Sequence, residues 1–235
     1  TPDVARALIS RFGLFEGTWR KYHKLSGGDV FLKASYEASA SLVEKYPTLH
    51  ENYDDLFNSN DLAGVKGVLL YKQYIPTQLT HTAATFARSS SGRHDLTRKA
   101  VDMFLMTDGQ TRWTSPLFKG DKNPYDEFRN RDLRLYYCTP PPYRVNVGSP
   151  ASQFTFTANP KDREYIDFMN SFNGPNGKRF PLQNWGGLYA KTMPHYQDYQ
   201  EGQPFNISFN GYYFYKYYNG LTTGISSQDI SDCPI

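Results

Sequence analysis

Leu8, Phe12, Phe15, Trp19 and Tyr22 recur at intervals of four, three, four and three residues. That spacing returns side chains to one face of an α-helix, so it predicts a long helix with a bulky apolar stripe, Trp19 included, turned toward the core. Ser26-Gly27-Gly28 interrupts the pattern where a left-handed cap forms at little cost. Asp29 is then placed to cap a second helix, whose inner face is Phe31, Ala34, Ala38 and Leu42, and which closes at Tyr46-Pro47. Two helices joined by so short a turn pack antiparallel, which predicts a helical hairpin over residues 3–46. Small residues at Ala5, Gly13, Ala34 and Ala38 allow the two backbones to approach closely.

After residue 46 the periodicity weakens. Residues 53–57 suit one helical turn, and 67–74 (GVLLYKQY) read as a strand. Residues 76–92, rich in Thr, Ser and Ala, read as a long loop. Residues 96–106 have the apolar density of a buried helix that stops at Asp108-Gly109. Residues 110–124 form a loop carrying Trp113. Phe154-Thr155-Phe156 alternates like a strand, and 162–172 read as a helix. Residues 173–187 form a second loop carrying Trp185, and 211–218 (GYYFYKYY) read as a strand. The sum is a mainly α protein: a helical scaffold over residues 1–75, then an irregular, loop-rich region over 76–235 with a few short strands.

The stretch NRDLRLYYC, residues 130–138, is unusual in running from charged residues directly into apolar ones. Asn130 and Asp132 suit a tight turn, because their short side chains bond nearby backbone groups. Arg131 and Arg134 carry planar guanidinium forks that fit carbonyls or the Asp132 carboxylate. Read as the start of a strand, the stretch turns Leu133 and Leu135 inward and Arg134 and Tyr136 outward. The arginines either meet an anionic ligand or pin loops to the helical scaffold. The second reading is preferred, because buried charges occur paired.

Composition narrows the classes. Charged residues are 21% and the net charge is +3, without the Lys/Arg run that tracks a phosphate backbone, so nucleic acid is not an expected partner. No stretch reaches the roughly 18 apolar residues of a membrane span. Cys138 and Cys233 are compatible with one disulfide or with two thiols, and neither has zinc-type neighbours. The chain opens on a helix-start signature, Thr1-Pro2-Asp3, and ends at Asp232-Cys233-Pro234-Ile235 as a new segment begins, which reads as the middle of a longer protein. Aromatic residues, at 16% with 19 Tyr, are the strongest bias, since rings with polar tips serve both cores and sugar-binding surfaces.

Four motifs then fall in a familiar order. The helical pair is followed by NYDDLF, then by HDLTRKAVDMFLMTDG (94–109), by YDEFRNRDLRLYY (125–137) and by GYYFYKYYN (211–219). The pair resembles one tetratricopeptide-type unit, with no second copy in this chain. The ordered set, a helix ending in M-x-D-G, a variable loop, N-R-D-x-R-L and G-Y-x-x-x-K-Y, resembles the SusD/RagB family of outer-membrane nutrient-binding lipoproteins. Leu133 stands where that family usually has proline. The resemblance implies a tetratricopeptide-type scaffold with a loop-built ligand site. It also implies attachment to the outer-membrane surface of Bacteroidetes through a lipid anchor outside this chain, and delivery of a captured glycan, or sometimes a peptide, to a SusC-like TonB-dependent transporter. It fixes no ligand-binding residues.

Candidates for those come from the loops, where an aromatic plane can stack on the C–H face of a sugar while polar neighbours bond its hydroxyls. They are Trp113 in QTRWT, Trp185 in QNWGG, and Tyr189, Tyr196 and Tyr199 beside His195, Gln197 and Asp198. The alternative for each ring is to anchor its loop. Carboxylates are abundant (Asp54, Asp55, Asp126, Glu127, Asp162, Glu164), but no G-x-S-x-G, H-E-x-x-H or phosphate-binding glycine loop accompanies them. No catalytic residue, metal or cofactor is therefore expected. A glycoside hydrolase and a protein-binding helical scaffold remain the alternatives to non-catalytic glycan capture.

Overall fold

The computed structural model describes residues 1–59, 61–75, 78–80, 95–143, 145–147, 154–172, 210–212, 214, 216–217 and 233–234. The candidates Trp185, Tyr189, Tyr196 and Tyr199 lie outside them. The protein is mainly helical and its chain divides into two compact units, one formed by Thr1–Asn52, Leu62–Gln73 and Cys233–Ile235, the other by Tyr53–Asp61 and Tyr74–Asp232.

The first unit is built on α1 (Pro2–Tyr22) and α2 (Gly28–Lys45), the hairpin that the apolar spacing predicts. Its seam is made of small residues. Gly13 and Gly17 of α1 and Gly28, Ser35 and Ala38 of α2 are buried. The Ser10 and Ser39 hydroxyls share a 2.6 Å hydrogen bond, and Ser35 donates to the Ser10 carbonyl at 2.7 Å. At the open end Asp3 accepts hydrogen bonds from Lys45 and from the Tyr46 hydroxyl. The Lys45 bond, followed by that from Tyr46, holds the Asp3 pKa below the usual carboxylate range.

The aromatic stripe, by contrast, is not the packed face. Phe12, Phe15 and Tyr22 are exposed and Trp19 is 50% exposed, which corrects the assignment of Trp19 to the core. Periodicity identifies an apolar face but not which face a neighbouring helix takes. Here the glycine and serine face allows the closer backbone approach, and the bulky face stays outside the hairpin. Asp29 is likewise not the cap of α2. Gly27, at φ 79°, occupies the cap position and Asp29 lies in the first turn. The expected strand over 67–74 reduces to β1 (Tyr71–Lys72), paired antiparallel with β4 (Cys233–Pro234).

A Cβ at Gly13 would stand 2.8 Å from the Phe31 carbonyl oxygen and 3.1 Å from the Ser35 Cβ. Gly→Ala inside a helix ordinarily gains about 1 kcal/mol. At Gly13 the clash is with backbone and should reverse the sign, so that Gly13→Ala lowers the melting temperature. A raised melting temperature would mean that the seam opens at little cost.

The second unit contains α3 (Asp55–Asn58), α4 (Arg98–Asp102), α5 (Pro124–Glu127), α6 (Leu133–Cys138) and α7 (Pro160–Phe172), with a small antiparallel ladder of β2 (Val145–Val147) and β3 (Phe154–Phe156). Its core joins Val101, Phe128, Leu135, Tyr136, Tyr143, Tyr165, Met169 and Tyr212. A buried tyrosine needs a partner for its hydroxyl. Tyr136 donates to the Phe128 carbonyl, Tyr165 to the Tyr125 carbonyl at 2.7 Å and Tyr212 to Glu127 at 2.9 Å.

Of the stretch 211–218 expected as a strand, the described residues Gly211, Tyr212, Phe214, Lys216 and Tyr217 are not in strand conformation. Gly211 has φ 85°, the Asn210 side chain accepts from the Tyr212 amide at 2.9 Å, and Lys216 and Tyr217 lie in a turn. This local side-chain bond competes with a sheet ladder.

Candidate functional site

The stretch 130–138 proves to be a turn, a cap and a helix. Asn130 sits at φ 55°, a left-handed conformation that asparagine tolerates. Arg131 follows in an isolated antiparallel bridge with Met106. Asp132 caps α6 by accepting from the Arg134 amide at 2.9 Å, and its carboxylate also pairs with the Arg134 guanidinium. That hydrogen-bonded pairing with Arg134 keeps the Asp132 pKa low.

Because the run is helical rather than extended, the inward positions change. Leu135 and Tyr136 are buried, whereas Leu133 is 47% exposed. The strand reading had placed Leu133 inside and Tyr136 outside. An Asp before an apolar run is also an N-cap signal, and that was the cue for a helix.

Arg131 is 1% exposed. Its guanidinium donates to the carbonyls of Val101 (2.7 Å), Phe104 (3.1 Å) and Glu127 (3.4 Å). Burial lowers its pKa, and the Glu127 carboxylate works in the opposite sense. These bonds help explain why the helix expected over 96–106 stops at Asp102. The carbonyls of Val101 and Phe104 are taken by Arg131, and that of Leu105 accepts from the Asp132 amide at 2.9 Å. The geometry is that of a pin between loops. A cavity of about 350 Å³ borders the turn, lined among others by Asn130, Arg131, Tyr136 and Phe168, and by Glu164 with its partner Arg129.

Trp113 is the one stacking candidate among the described residues, and its loop is tightly held. Gly109, at φ 79°, closes a turn in which the Met106 amide donates to the Gln110 carbonyl at 2.8 Å. Asp108 accepts from the Ser115 hydroxyl at 2.6 Å and from the Gln110 amide at 3.0 Å, which lowers its pKa. The decisive residue is Arg112, whose side chain is 1% exposed. It reaches Asp102 at 2.9 Å, Asp121 at 2.5 Å and Glu127 at 3.4 Å. Arg98 reaches the same three carboxylates. The hydrogen bonds from Arg112 and then Arg98 hold the Asp121 pKa below its ordinary range.

Trp113 itself is 71% exposed. The Arg112 guanidinium carbon lies 4.4 Å from its ring centroid and 4.5 Å from that of Phe118. A buried, salt-bridged cation thus supports one face of an exposed indole, a cation–π contact that fixes the ring. Thr111 and Thr114, with hydroxyls 3.0 Å apart, flank the ring in sequence and are exposed. Sequence reading passed over Arg112, because its partners stand 9 to 15 positions away and nothing local announces them.

Chemically the arrangement is a rigid aromatic plane with hydroxyls beside it. The carboxyl groups of Asp3, Asp108, Asp121, Asp132 and Asp167 are each held below the ordinary carboxylate range by the side chains that donate to them. Among the described residues, no group of three or more His, Cys, Asp or Glu side chains is arranged to hold a metal ion, and no helix is long and apolar enough to cross a membrane. No family model, curated protein or solved structure matches the chain.

Proposed function

We propose that this chain is a non-catalytic glycan-binding protein of the SusD/RagB kind, acting at the outer-membrane surface and handing its ligand to a TonB-dependent transporter. On this reading the α1–α2 hairpin is a tetratricopeptide-type pair of the scaffold, and the loops of the second unit carry the ligand. The observation that carries the reading is Trp113, an exposed ring braced from beneath by Arg112. The ordered motifs at 94–109, 125–137 and 211–219 support the SusD/RagB resemblance.

An indole held rigid before the ligand arrives loses little entropy on stacking. Such a contact is worth on the order of 1 kcal/mol, somewhat more when desolvated. Trp113→Ala should therefore weaken oligosaccharide binding by roughly tenfold with an unchanged melting temperature. Calorimetric titration across a panel of α- and β-linked oligosaccharides measures it, with a peptide library as the parallel arm. Cleavage of a labelled oligosaccharide by the purified protein, or wild-type affinity in the alanine variant, would overturn the proposal.

A further inference from the structure

The cavity of about 350 Å³ beside the Arg131 turn has a floor and a rim of different kinds. Its volume lies at the lower end of the roughly 300–1,000 Å³ range of small-molecule sites, room for one unit of a longer ligand. The floor is made by Arg131, Tyr136 and Tyr165, which are 1, 3 and 4% exposed. Both tyrosine hydroxyls are engaged by backbone carbonyls, those of Phe128 and Tyr125, and the Arg131 guanidinium by three more. The floor therefore offers a ligand chiefly apolar ring surface. Leu133 and Phe168, 47% and 38% exposed, carry that surface out to the rim.

The rim also holds an ion pair. Arg129 and Glu164, with side chains 32% and 35% exposed, are joined by two parallel bonds, Nη1 to Oε1 and Nη2 to Oε2. Arg129 Nε donates to Asp126 at 3.0 Å. A guanidinium has five N–H groups and a carboxylate about four acceptor sites. The pair therefore keeps spare donors on Nη1 and Nη2 beside spare lone pairs on Glu164, among the described residues. Two carboxylates on one arginine balance its charge, so the rim favours a neutral ligand.

A pyranose fits this set of groups. One of its hydroxyls accepts from Arg129 and the neighbouring one donates to Glu164, while its C–H face lies on Leu133 and Phe168. Hydrogen bonds with one ionised partner are about twice as strong as neutral ones. We infer that this cavity is a second glycan subsite, selective for a neutral sugar unit with a free vicinal diol. The inference rests on the glycan reading above and adds a specificity element to it. Stacking on Trp113 tolerates most sugars, whereas a donor–acceptor couple rejects a unit whose hydroxyls are capped. The cavity adjoins the Trp113 loop through Asn130, whose side chain donates to the Leu117 carbonyl at 3.0 Å.

Maltohexaose and cellohexaose are the probes, each beside its 2,3-di-O-methyl counterpart, titrated calorimetrically against the native chain. At least one hexaose should bind, and its methyl ether should bind more weakly by about tenfold or more, the size of one lost charge-assisted hydrogen bond. Glu164→Ala should weaken the unmodified hexaose by the same factor and leave the methyl ether unchanged, so that the preference for free hydroxyls disappears. The melting temperature should hold, because the pair is part-exposed and Arg129 keeps Asp126. Leu133→Glu, in the first turn of α6 where a carboxylate suits the helix, removes the apolar rim and should weaken both probes.

Equal binding of a hexaose and its methyl ether, a Glu164→Ala protein that keeps the preference, or binding of neither hexaose would each overturn the subsite. A hexaose weakened by Trp113→Ala but indifferent to Glu164 and Leu133 would remove this cavity and leave the glycan reading standing. No binding across the whole oligosaccharide panel would remove both. If Glu164→Ala fails to fold, Leu133→Glu and the methyl-ether comparison on the native chain decide the matter.

Discussion

Arg131→Met should be among the most damaging single substitutions in the second unit. The side chain is 1% exposed and donates to the carbonyls of Val101, Phe104 and Glu127. Methionine fills part of the volume but leaves those acceptors without their donor in a region closed to water. A buried carbonyl left without its donor costs about 1–3 kcal/mol, and three carbonyls lose a donor here. Lysine would be a poor substitute, since one ammonium cannot reproduce the fork.

Arg134→Ala is the internal comparison. Its side chain is 58% exposed and its partner is Asp132, so the loss should be under about 1 kcal/mol. Urea unfolding of both variants reads the difference. Equal midpoints for the two would remove the pinning role from Arg131. A normal midpoint combined with lost ligand binding would move it to the ligand.

The second large effect is expected at Glu127. It is 5% exposed, accepts from the Tyr212 hydroxyl at 2.9 Å and faces Arg98 at 3.2 Å and Arg112 at 3.4 Å. Glu127→Ala leaves the Tyr212 hydroxyl, which still accepts from Arg98 at 2.8 Å, without an acceptor for its own proton, and takes one of three carboxylates from an arginine that cannot turn to solvent. A loss of about 3 kcal/mol or more follows. Trp113 should also loosen, since Arg112 is its support.

A double-mutant cycle with Arg112→Met gives the sharper readout. Removing both charges leaves no single buried charge behind, so the double variant should be less destabilised than the sum of the two single variants. Additive losses, or a Glu127→Ala loss below about 1 kcal/mol, would show that the cluster is not what locks this loop.

Local signals carried the elements, while contacts distant in sequence decided the surfaces. The hairpin limits were readable from the apolar spacing and the glycine turn, and α1 and α2 run from Pro2 to Lys45. The helix expected over 162–172 appears as Pro160–Phe172, and Phe154–Phe156 is a strand. What misled was ambiguity of period and of face. Leu133 to Cys138 is short enough to fit alternation as well as a helical repeat, and the Asp132 cap settles it. The α1 stripe is a true apolar face, yet the tighter seam of Gly13 and Gly17 takes the neighbouring helix.

For the candidate site, Trp113 was visible because an aromatic residue in a polar loop stands out. Its brace was not, because the carboxylates that hold Arg112 come from separate parts of the chain.

The exposed indoles have an optical consequence. Trp19 and Trp113 both face solvent substantially in the folded chain, so their emission already resembles that of an indole in water and has little red shift left to give on unfolding. The buried chromophores of the second unit's core are instead phenols, those of Tyr136, Tyr143, Tyr165 and Tyr212. Near-ultraviolet circular dichroism in the tyrosine band is thus a spectroscopic channel that follows the melting of this core, to which neither Trp19 nor Trp113 belongs.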